Sequence, residues 1–286
     1  SSAASDVYKR QDVITGHWAS PQMEIISELK TIYHCKTAVV LHGTGYIESP
    51  KFNAEEYLKN IDSLGARSLS QAKQIKEILK LDKLPFVCNS GVPDEYLKNY
   101  RLNTEKYRNI KTWKITYVGR LVSYKNIDST IKALSEIKDV KWEFNIVGDG
   151  ASRTELEELA QNLNCADKVH FWGRVSRDKV MQILEDTHIF VMISTNEIFG
   201  LVYLEAMAAS CLTIASKNGG VDGIIKCEKN GFLCEEGNDK ELHSILNRIT
   251  KKEIDEISNI VEMGYKTARE YSDSEVARVY IKNITQ

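Results

Sequence analysis

The chain is poor in proline, with 4 prolines among 286 residues, and none of its 6 cysteines belongs to a Cys-x-x-Cys pair. Most of the cysteines lie in apolar runs, which favours reduced, buried thiols over a disulfide framework or a zinc site. No apolar run approaches the ~20 residues that a membrane-spanning helix needs. The net charge is −2, from 38 basic and 40 acidic residues, so no excess of one sign points to nucleic acid or an anionic membrane. The length of 286 residues, with 42% hydrophobic and 27% charged, is typical of a globular protein of about two domains.

The first segment of the chain, SSAASDVYKRQ at 1–11, contains neither a methionine nor the apolar centre of a signal peptide. The run from Asp6 to Gln11 matches the translation of a sequencing-transposon adapter. We therefore interpret 1–11 as an artefactual leader. We expect the natural chain to begin earlier, so that the first part of its N-terminal domain is missing here. The alternative is a polar, disordered tail.

Apolar strand candidates alternate with helical patterns in the second half of the chain, which is typical of βαβ units and a parallel sheet. The strand candidates cover residues 114–118, 142–147, 168–171, 188–193 and 212–215. Each is followed by glycine or polar residues, and ligands of open α/β sheets bind at the carboxyl ends of the strands. The sequence therefore predicts a ligand site built from these loops.

The first half has a thinner version of the same pattern, with too few units for a complete doubly wound domain. Strand candidates cover 13–14, 37–41, 66–68 and 85–88, and helix candidates cover 22–33, 53–64 and 70–81. A polar segment at 96–111 separates the two halves. We therefore expect a partial N-terminal domain over 12–108, a second domain over 109–270, and a last helix over 271–286 that could cross back to the first domain.

Two glutamates eight positions apart, Glu197 and Glu205, have Phe-Gly-Leu between them. They follow the strand candidate at 188–193, and helix formers begin after Gly200. A helix N-terminus presents unpaired N–H groups to an anion, and ionised carboxylates accept hydrogen bonds from sugar hydroxyls. The pattern therefore suits a phosphate on the helix end and sugar hydroxyls on the glutamates. An ordinary βα unit with two solvated glutamates explains the spacing about as well.

A second candidate is Gly119-Arg120, directly after the strand at 114–118, followed by Lys125. Glycine lets the backbone turn closely, while Arg offers phosphate oxygens a planar fork and Lys a compact point charge. Two fixed cations can neutralise a diphosphate without a metal. Solvated charges on a loop are the alternative.

Further turns carry weaker signals. The turn Gly148-Asp149-Gly150 lacks the spacing of the dinucleotide fingerprint and favours a packing role. Backbone groups after Phe171-Trp172-Gly173 could contact the edge of a nucleobase. His17 and His42 each stand near the end of a strand candidate, where a neutral imidazole can bond a sugar or a phosphate, although either could be structural.

Together these motifs resemble the family 4 glycosyltransferases, also called group 1. Members of that family have the GT-B fold, an α/β architecture of two Rossmann-like domains facing across a cleft. The resemblance runs over roughly 115–236 and holds in order as well as in content. Its elements lie at Val118 to Lys125, Gly148 to Gly150, Phe171 to Gly173, Glu197 to Glu205, Gly219 to Gly220 and Asn230 to Leu233. The turn at 89–94 departs from the family's Asn-Gly-Val-Asp by one insertion and a proline, and the glycine-rich loop after the family's first strand has no counterpart. The resemblance implies a GT-B fold here, with the first domain incomplete.

The resemblance also implies a role for each matched residue. Arg120 and Lys125 would hold the donor's diphosphate, and Glu205 would accept from the ribose hydroxyls. Backbone near Arg174 and Val175 would contact the base. The full donor-binding set is Gly119, Arg120, Lys125, Arg174, Val175, Phe199, Gly200, Leu201 and Glu205. Glu197, which would bind or orient the donor sugar, and His42 would form the catalytic set, and His17 would lie on the acceptor side.

The implied activity is transfer of a sugar from a UDP- or GDP-sugar to a glycan or lipid-linked acceptor, with retention of the anomeric configuration. No metal and no other cofactor is implied, since the nucleotide sugar is a substrate. The expected setting is surface polysaccharide biosynthesis in the cytoplasm or at the inner face of the membrane, with no nucleic-acid partner. A lysine-rich helix over 73–83 could touch that membrane, although a solvated face explains it as well. Two alternatives stay open: a GT-B sugar-nucleotide epimerase, and a fragment that binds a nucleotide sugar without turnover.

Overall fold

The computed structural model describes residues 12–19, 22–50 and 52–285, with only the backbone of Ala54 and Glu55. The leader interpreted at 1–11 lies outside these residues. The chain divides into two compact units. The first unit comprises the described residues up to Gly91 together with those from Asp273 onwards, and the second runs from Val92 to Ser272.

The first unit is built on a four-stranded parallel sheet. Its strands are β1 (Val13–His17), β2 (Lys36–Leu41), β3 (Ser63–Ala66) and β4 (Phe86–Val87), in the order β1-β2-β3-β4. Helices α1 (Gln22–Tyr33), α2 (Ala54–Leu58) and α3 (Leu69–Ile78) follow the first three strands. The side chains of Met23, Val39, Leu41 and Ile75 are completely buried. Strands of a parallel sheet are covered on both faces, which explains why residues 38–41 of β2 form a continuous, buried apolar run.

The second unit contains a six-stranded parallel sheet. Its strands are β5 (Trp113–Val118), β6 (Trp142–Val147), β7 (Val169–Gly173), β8 (Ile189–Met192), β9 (Leu212–Ser216) and β10 (Phe232–Cys234). They lie in the order β10-β9-β8-β5-β6-β7, which is the 3-2-1-4-5-6 arrangement of Rossmann folds. The order reverses between β5 and β8, where Ile115 is the register partner of Ile189. Sheets of this type bind ligands at that reversal.

Helices cover the second sheet, including two that the sequence-based expectations do not contain. They are α4 (Asp94–Asn99), α5 (Ile127–Ser135), α6 (Arg153–Asn162), α7 (Arg177–Glu185), α8 (Leu201–Ala208), α9 (Asp239–Ile249) and α10 (Ile254–Glu270). The unexpected helices are the short α4 and the longer α10. Helix α10 begins with a capping box formed by Glu253 and Glu256 and buries Ile257 and Val261. Among the described residues, no helix is long and apolar enough to cross a membrane.

The polar segment at 96–111 packs into the second unit, and the division between the units falls after Gly91 instead of at 108/109. Leu97, Tyr100 and Tyr107 from this segment are buried in the second core. The hydroxyl of Tyr107 donates to His188 O at 2.7 Å or Ser210 O at 2.9 Å and accepts from Leu212 N at 3.0 Å. The buried side chains of Tyr100 and Tyr107 therefore attach this segment to the second unit, although its polar composition suggested a linker between domains.

Two elements of the first unit also differ from expectation. The helix predicted over 53–64 ends at Leu58, and its last residues belong to β3. The strand predicted at 66–68 ends at Ala66, and the Ser68 side chain caps α3 by accepting from Gln71 N at 3.3 Å. The last helix, α11 (Asp273–Thr285), packs on β1 and β2 of the first unit.

The two buried tyrosines of the reassigned segment form a matched pair for a stability test. Replacing Tyr107 with Phe should lower the free energy of unfolding by about 1–3 kcal/mol, because the Ser210 carbonyl loses its partner while Leu212 N and His188 O keep only the bond between them. Replacing Tyr100 with Phe should leave stability unchanged or raise it, because the Tyr100 hydroxyl is buried without a hydrogen-bond partner among the described residues. Urea unfolding followed by tryptophan fluorescence measures both changes. Equal losses in the two variants would contradict the packing described for this segment.

Candidate functional site

The loops that follow β5 and β8 are joined by hydrogen bonds at the reversal of strand order. Asn126, at the start of α5, has a left-handed backbone with φ of +53°. Its side-chain amide donates to Ile193 O at 2.7 Å and to Thr195 Oγ1 at 3.0 Å. In the opposite direction, Thr195 N donates to Tyr124 O at 2.8 Å. The two candidate motifs of the sequence analysis therefore lie on neighbouring, mutually fixed loops.

Lys125 and Glu197 form an ion pair across these loops. Their side chains are only 13% and 14% exposed. The ammonium also lies over the ring of Tyr124, with 5.4 Å between Nζ and the ring centroid. Water screens this ion pair only weakly. Removing either side chain would leave the other charged group without a partner in a poorly solvated environment, which costs free energy.

The start of α8 lies directly beyond Glu197. Gly200 is the residue before the helix, its φ is +77°, and no side chain caps the helix N-terminus. A β-carbon on Gly200 would come within 2.5 Å of the Tyr203 ring, so glycine is required by packing as well as by backbone conformation. The N–H groups of Leu201 and Val202, at the start of α8, can therefore bond an anion, whereas Tyr203 N already donates to Gly200 O at 3.0 Å. Phe199, in contrast, is buried against Gly220 and serves packing.

Arg120 lies on the same loop as Lys125 but in a different environment. It is exposed, and its guanidinium donates to the Tyr124 hydroxyl at 2.7 Å. The Tyr117 hydroxyl donates to the Arg120 carbonyl at 2.9 Å and steadies the backbone. The site thus has one nearly buried cation and one exposed cation. An exposed guanidinium can turn towards a ligand.

Glu205 faces a partner that the sequence analysis missed. Arg177, at the start of α7, donates to Glu205 Oε1 at 2.5 Å and stacks over the Tyr96 ring at 4.6 Å. Burial raises the pKa of Glu205, and the Arg177 guanidinium opposes that rise. Arg177 is the third residue after Arg174, so the loop after β7 does reach this region, but through a different arginine from the one expected.

The glycine-rich turn after β6 serves packing. Gly148 has φ of +132°, and a β-carbon there would lie 1.8 Å from the Gly119 carbonyl oxygen. Gly148 N donates to Gly173 O at 2.8 Å, which joins this turn to the end of β7. Beyond it, Arg174 is exposed and Val175 half-buried. Both follow the edge strand, and within the described part of the chain neither forms a hydrogen bond or an ion pair with the β5 and β8 loops.

The two histidines of the first unit lie together. His17 Nδ1 and His42 Nε2 are 2.9 Å apart and share one hydrogen bond. The Trp18 ring stacks on His42, with 4.5 Å between centroids. Burial, the nearby Arg67 cation and His17 lower the pKa of His42 to about 4, and burial and Arg67 also lower the pKa of His17. Both imidazoles are therefore neutral at neutral pH.

Comparison with known proteins decides the family. The model of the glycosyl transferases group 1 family matches residues 101–267, more than half of the chain. The chain belongs to the group 1 glycosyltransferases. An uncharacterised glycosyltransferase of Methanocaldococcus jannaschii is 29% identical over 247 residues, which are 85% of this chain and 67% of the relative. N-acetyl-alpha-D-glucosaminyl L-malate synthase of Bacillus anthracis is 26% identical over 249 residues, which are 82% of this chain and 65% of the relative. This group 1 chain thus spans about two-thirds of the length of both.

Solved structures agree on the fold. The crystal structure of Anabaena HepE in complex with UDP is similar with a TM-score of 0.78 and 20% identity, covering 99% of this chain and 81% of that one. At this identity the likeness concerns architecture alone. The group 1 glycosyltransferase described here has the GT-B fold, with one parallel sheet in each unit.

The Glu205–Arg177 pair predicts a pH-dependent stability. The pKa of Glu205 is raised in the folded chain, so its ionisation destabilises the fold as pH increases, and Arg177 offsets part of that cost. Replacing Arg177 with Met should raise the pKa of Glu205 further. It should lower the free energy of unfolding at pH 7 by about 0.5–1.5 kcal/mol more than at about pH 4.

Unfolding by urea at the two pH values, with NMR titration of the Glu205 carboxyl, measures both effects. In a Glu205→Gln background, Arg177→Met should lower the free energy of unfolding only through the lost stacking on Tyr96, and by the same amount at both pH values. A pH-independent loss in the single variant would show that Arg177 stabilises the fold by packing alone.

Proposed function

We propose that this group 1 glycosyltransferase moves a sugar from a UDP- or GDP-sugar to a glycan or lipid-linked acceptor, with retention of configuration and without a metal. The observation that carries the proposal is the arrangement at the β5–β8 reversal. There the Lys125–Glu197 pair, the exposed Arg120 and the uncapped start of α8 belong to adjoining loops. Cations and free N–H groups suit a diphosphate, and carboxylates suit hydroxyls.

The diphosphate of the donor would be held by Arg120, Lys125 and the N–H groups at Gly200 and Leu201. Cleavage of the bond between sugar and phosphate leaves extra negative charge on the departing diphosphate. Donors already fixed in position stabilise that charge without reorganising, which can be a leading part of catalysis. Lys125 meets this requirement because its ion pair and its neighbours restrain it.

The two glutamates would take the hydroxyls on either side of the diphosphate. Glu205 would accept from the ribose, in exchange for part of its contact with Arg177. Glu197 would bind the transferred sugar while keeping Lys125 as a neighbour. An ammonium has three donors, so Lys125 can bond Glu197 and a phosphate oxygen at the same time.

The Lys125 pairing also argues for front-face attack over a covalent intermediate. A carboxylate engaged by an ammonium is a weaker nucleophile than a free one, and Glu197 is so engaged. The leaving phosphate would then accept the proton of the attacking hydroxyl. His42 would assist on the acceptor side, since a neutral imidazole can both donate and accept a hydrogen bond.

The solved complexes of Anabaena HepE with UDP and with UDP-glucose support a nucleotide-sugar donor for this chain. Incubation with UDP- and GDP-sugars should release nucleotide and yield a product of retained configuration. Release of a sugar nucleotide inverted at C2 would favour the epimerase alternative. Binding without any turnover would favour the fragment alternative.

The exposed Arg120 allows a clean test of the diphosphate assignment. Replacing Arg120 with Ala should weaken UDP binding by about tenfold to a hundredfold in titration calorimetry, because a charge-assisted contact is lost. The same titration with GDP reports the choice of base. Arg108, which is 61% exposed and paired with Glu105, provides the matched control, and Arg108→Ala should bind UDP like the unaltered chain. Equal affinity in both variants would refute the assignment.

A double replacement separates the structural role of Lys125 from its role in binding. Lys125→Met should lower the free energy of unfolding by about 1–3 kcal/mol, because Glu197 loses its counter-ion in a poorly exposed place. Adding Glu197→Gln should restore most of that stability. UDP affinity should stay low in both variants. Recovery of UDP binding together with stability would mean that Lys125 acts on the fold alone.

A further inference from the structure

The carboxyl ends of the first sheet carry a second cluster of polar side chains. His17 ends β1, His42 follows β2, Arg67 follows β3 and Cys88 follows β4. The strands are neighbours in that same order, so these side chains form a row along one edge of the sheet. Arg67 has no place in the sequence-based site, and the proposed donor chemistry does not use it.

Arg67 is a half-buried cation with neutral partners. Its guanidinium donates to Ser90 Oγ and to Cys88 Sγ, the latter at 3.6 Å. Among the described residues, no carboxylate forms an ion pair with it. Arginine stays charged in proteins, and its planar fork matches carboxylate and phosphate oxygens. A partly desolvated guanidinium without an anion is therefore ready to receive one.

The His17–His42 pair lies near Arg67 at the same edge of the sheet. Arg67 is close enough to lower the pKa of both imidazoles, so the three groups share one neighbourhood. At neutral pH the imidazoles carry no charge and do not compete with Arg67 for an anion. His42 Nε2 is shared with His17, and the Tyr280 hydroxyl lies 3.5 Å from His17 Nε2, so the remaining nitrogen of His42, Nδ1, has no hydrogen-bond partner among the described residues. That nitrogen can donate to an oxyanion when it carries the proton.

Trp18 bounds the cluster on one side. Its φ of +79° is rare for a bulky residue, and its N–H is held by Val40 O at 2.8 Å. The ring stacks on His42 yet is 56% exposed. Strained backbone conformations of this kind are more frequent at ligand sites, where the surrounding structure holds a side chain in the position that binding requires. The cluster is thus open to a ligand on the Trp18 side.

We propose that Arg67, with the His17–His42 pair, binds a carboxylate or phosphate group carried by the acceptor. Calling the anion part of the acceptor rests on the proposed function. The evidence for the anion site itself is the Arg67 guanidinium, which has no carboxylate partner among the described residues, and the two neighbouring imidazoles. The chemical class of the acceptor is then a hydroxyl compound that also carries an oxyanion.

The test uses inorganic phosphate and acetate as separate probes of the full chain at neutral pH. NMR signals of the His17 and His42 rings should shift with each titration and reach saturation. Arg67→Gln should weaken the site by about tenfold or more, since a charge-assisted bond is removed, whereas Arg67→Lys should retain part of the affinity. Arg278→Gln is the matched control in the same unit, because Arg278 is 68% exposed and paired with Glu275. It should bind like the unaltered chain.

The outcomes separate this inference from the proposed function. Saturable ring shifts that weaken in Arg67→Gln but not in Arg278→Gln support the anion site. Shifts that never saturate, or that respond equally to both replacements, overturn it. A response to phosphate alone assigns the site to phosphate, and a response to both probes assigns it to oxyanions in general. Titration of the unaltered chain with UDP tests the donor site independently, so either result can fail while the other stands. Circular dichroism of each variant identifies a loss of fold.

Discussion

The reversal of strand order between β5 and β8 is the constraint on which the candidate donor site depends. In open α/β sheets, ligands bind at the carboxyl ends of the strands where this order reverses, between the loops that follow the two strands. Lys125 comes from one loop and Glu197 from the other, and Asn126 ties the loops together through Ile193 O and Thr195 Oγ1. Their ion pair is therefore a consequence of topology, since nothing in either local sequence requires it.

The fixed cation explains how such a site can act without large rearrangement. Lys125 keeps little contact with water and is restrained by Glu197 and the Tyr124 ring, whereas Arg120 is exposed and its guanidinium donates to the Tyr124 hydroxyl. A restrained charge contributes most where charge develops during reaction, because no reorganisation is needed. An exposed guanidinium contributes more to capture of the anion from solvent. Under the proposed function, Lys125 would therefore contribute more to catalysis and Arg120 more to binding.

Sequence reasoning could anticipate the elements and the motif residues but not their pairing. The βα rhythm predicted all strands of the second sheet except β10, because each is rich in apolar residues and alternates with a helical pattern, as in a parallel sheet covered by helices. The Lys125–Glu197 and Arg177–Glu205 pairs join residues far apart in the chain, and periodicity carries no information about such contacts. Arg67 escaped notice for a local reason. A strand placed at 66–68 made it an interior residue, whereas β3 ends at Ala66 and leaves Arg67 at the ligand-binding edge.

The two sheets present cations at their carboxyl ends under different electrostatic conditions. In the second unit, the nearly buried Lys125 is already neutralised by Glu197, so an arriving phosphate must share the ammonium with a carboxylate. In the first unit, Arg67 faces neutral imidazoles and neutral donors, so an arriving anion has no resident competitor among the described side chains. When Glu197 and a phosphate share the Lys125 ammonium, the site favours a ligand whose own hydroxyls donate hydrogen bonds to the carboxylate, as those of a nucleotide sugar can. A lone guanidinium favours any oxyanion of suitable size, so selectivity there must come from the surroundings of the anion, of which the exposed Trp18 ring is the largest apolar part.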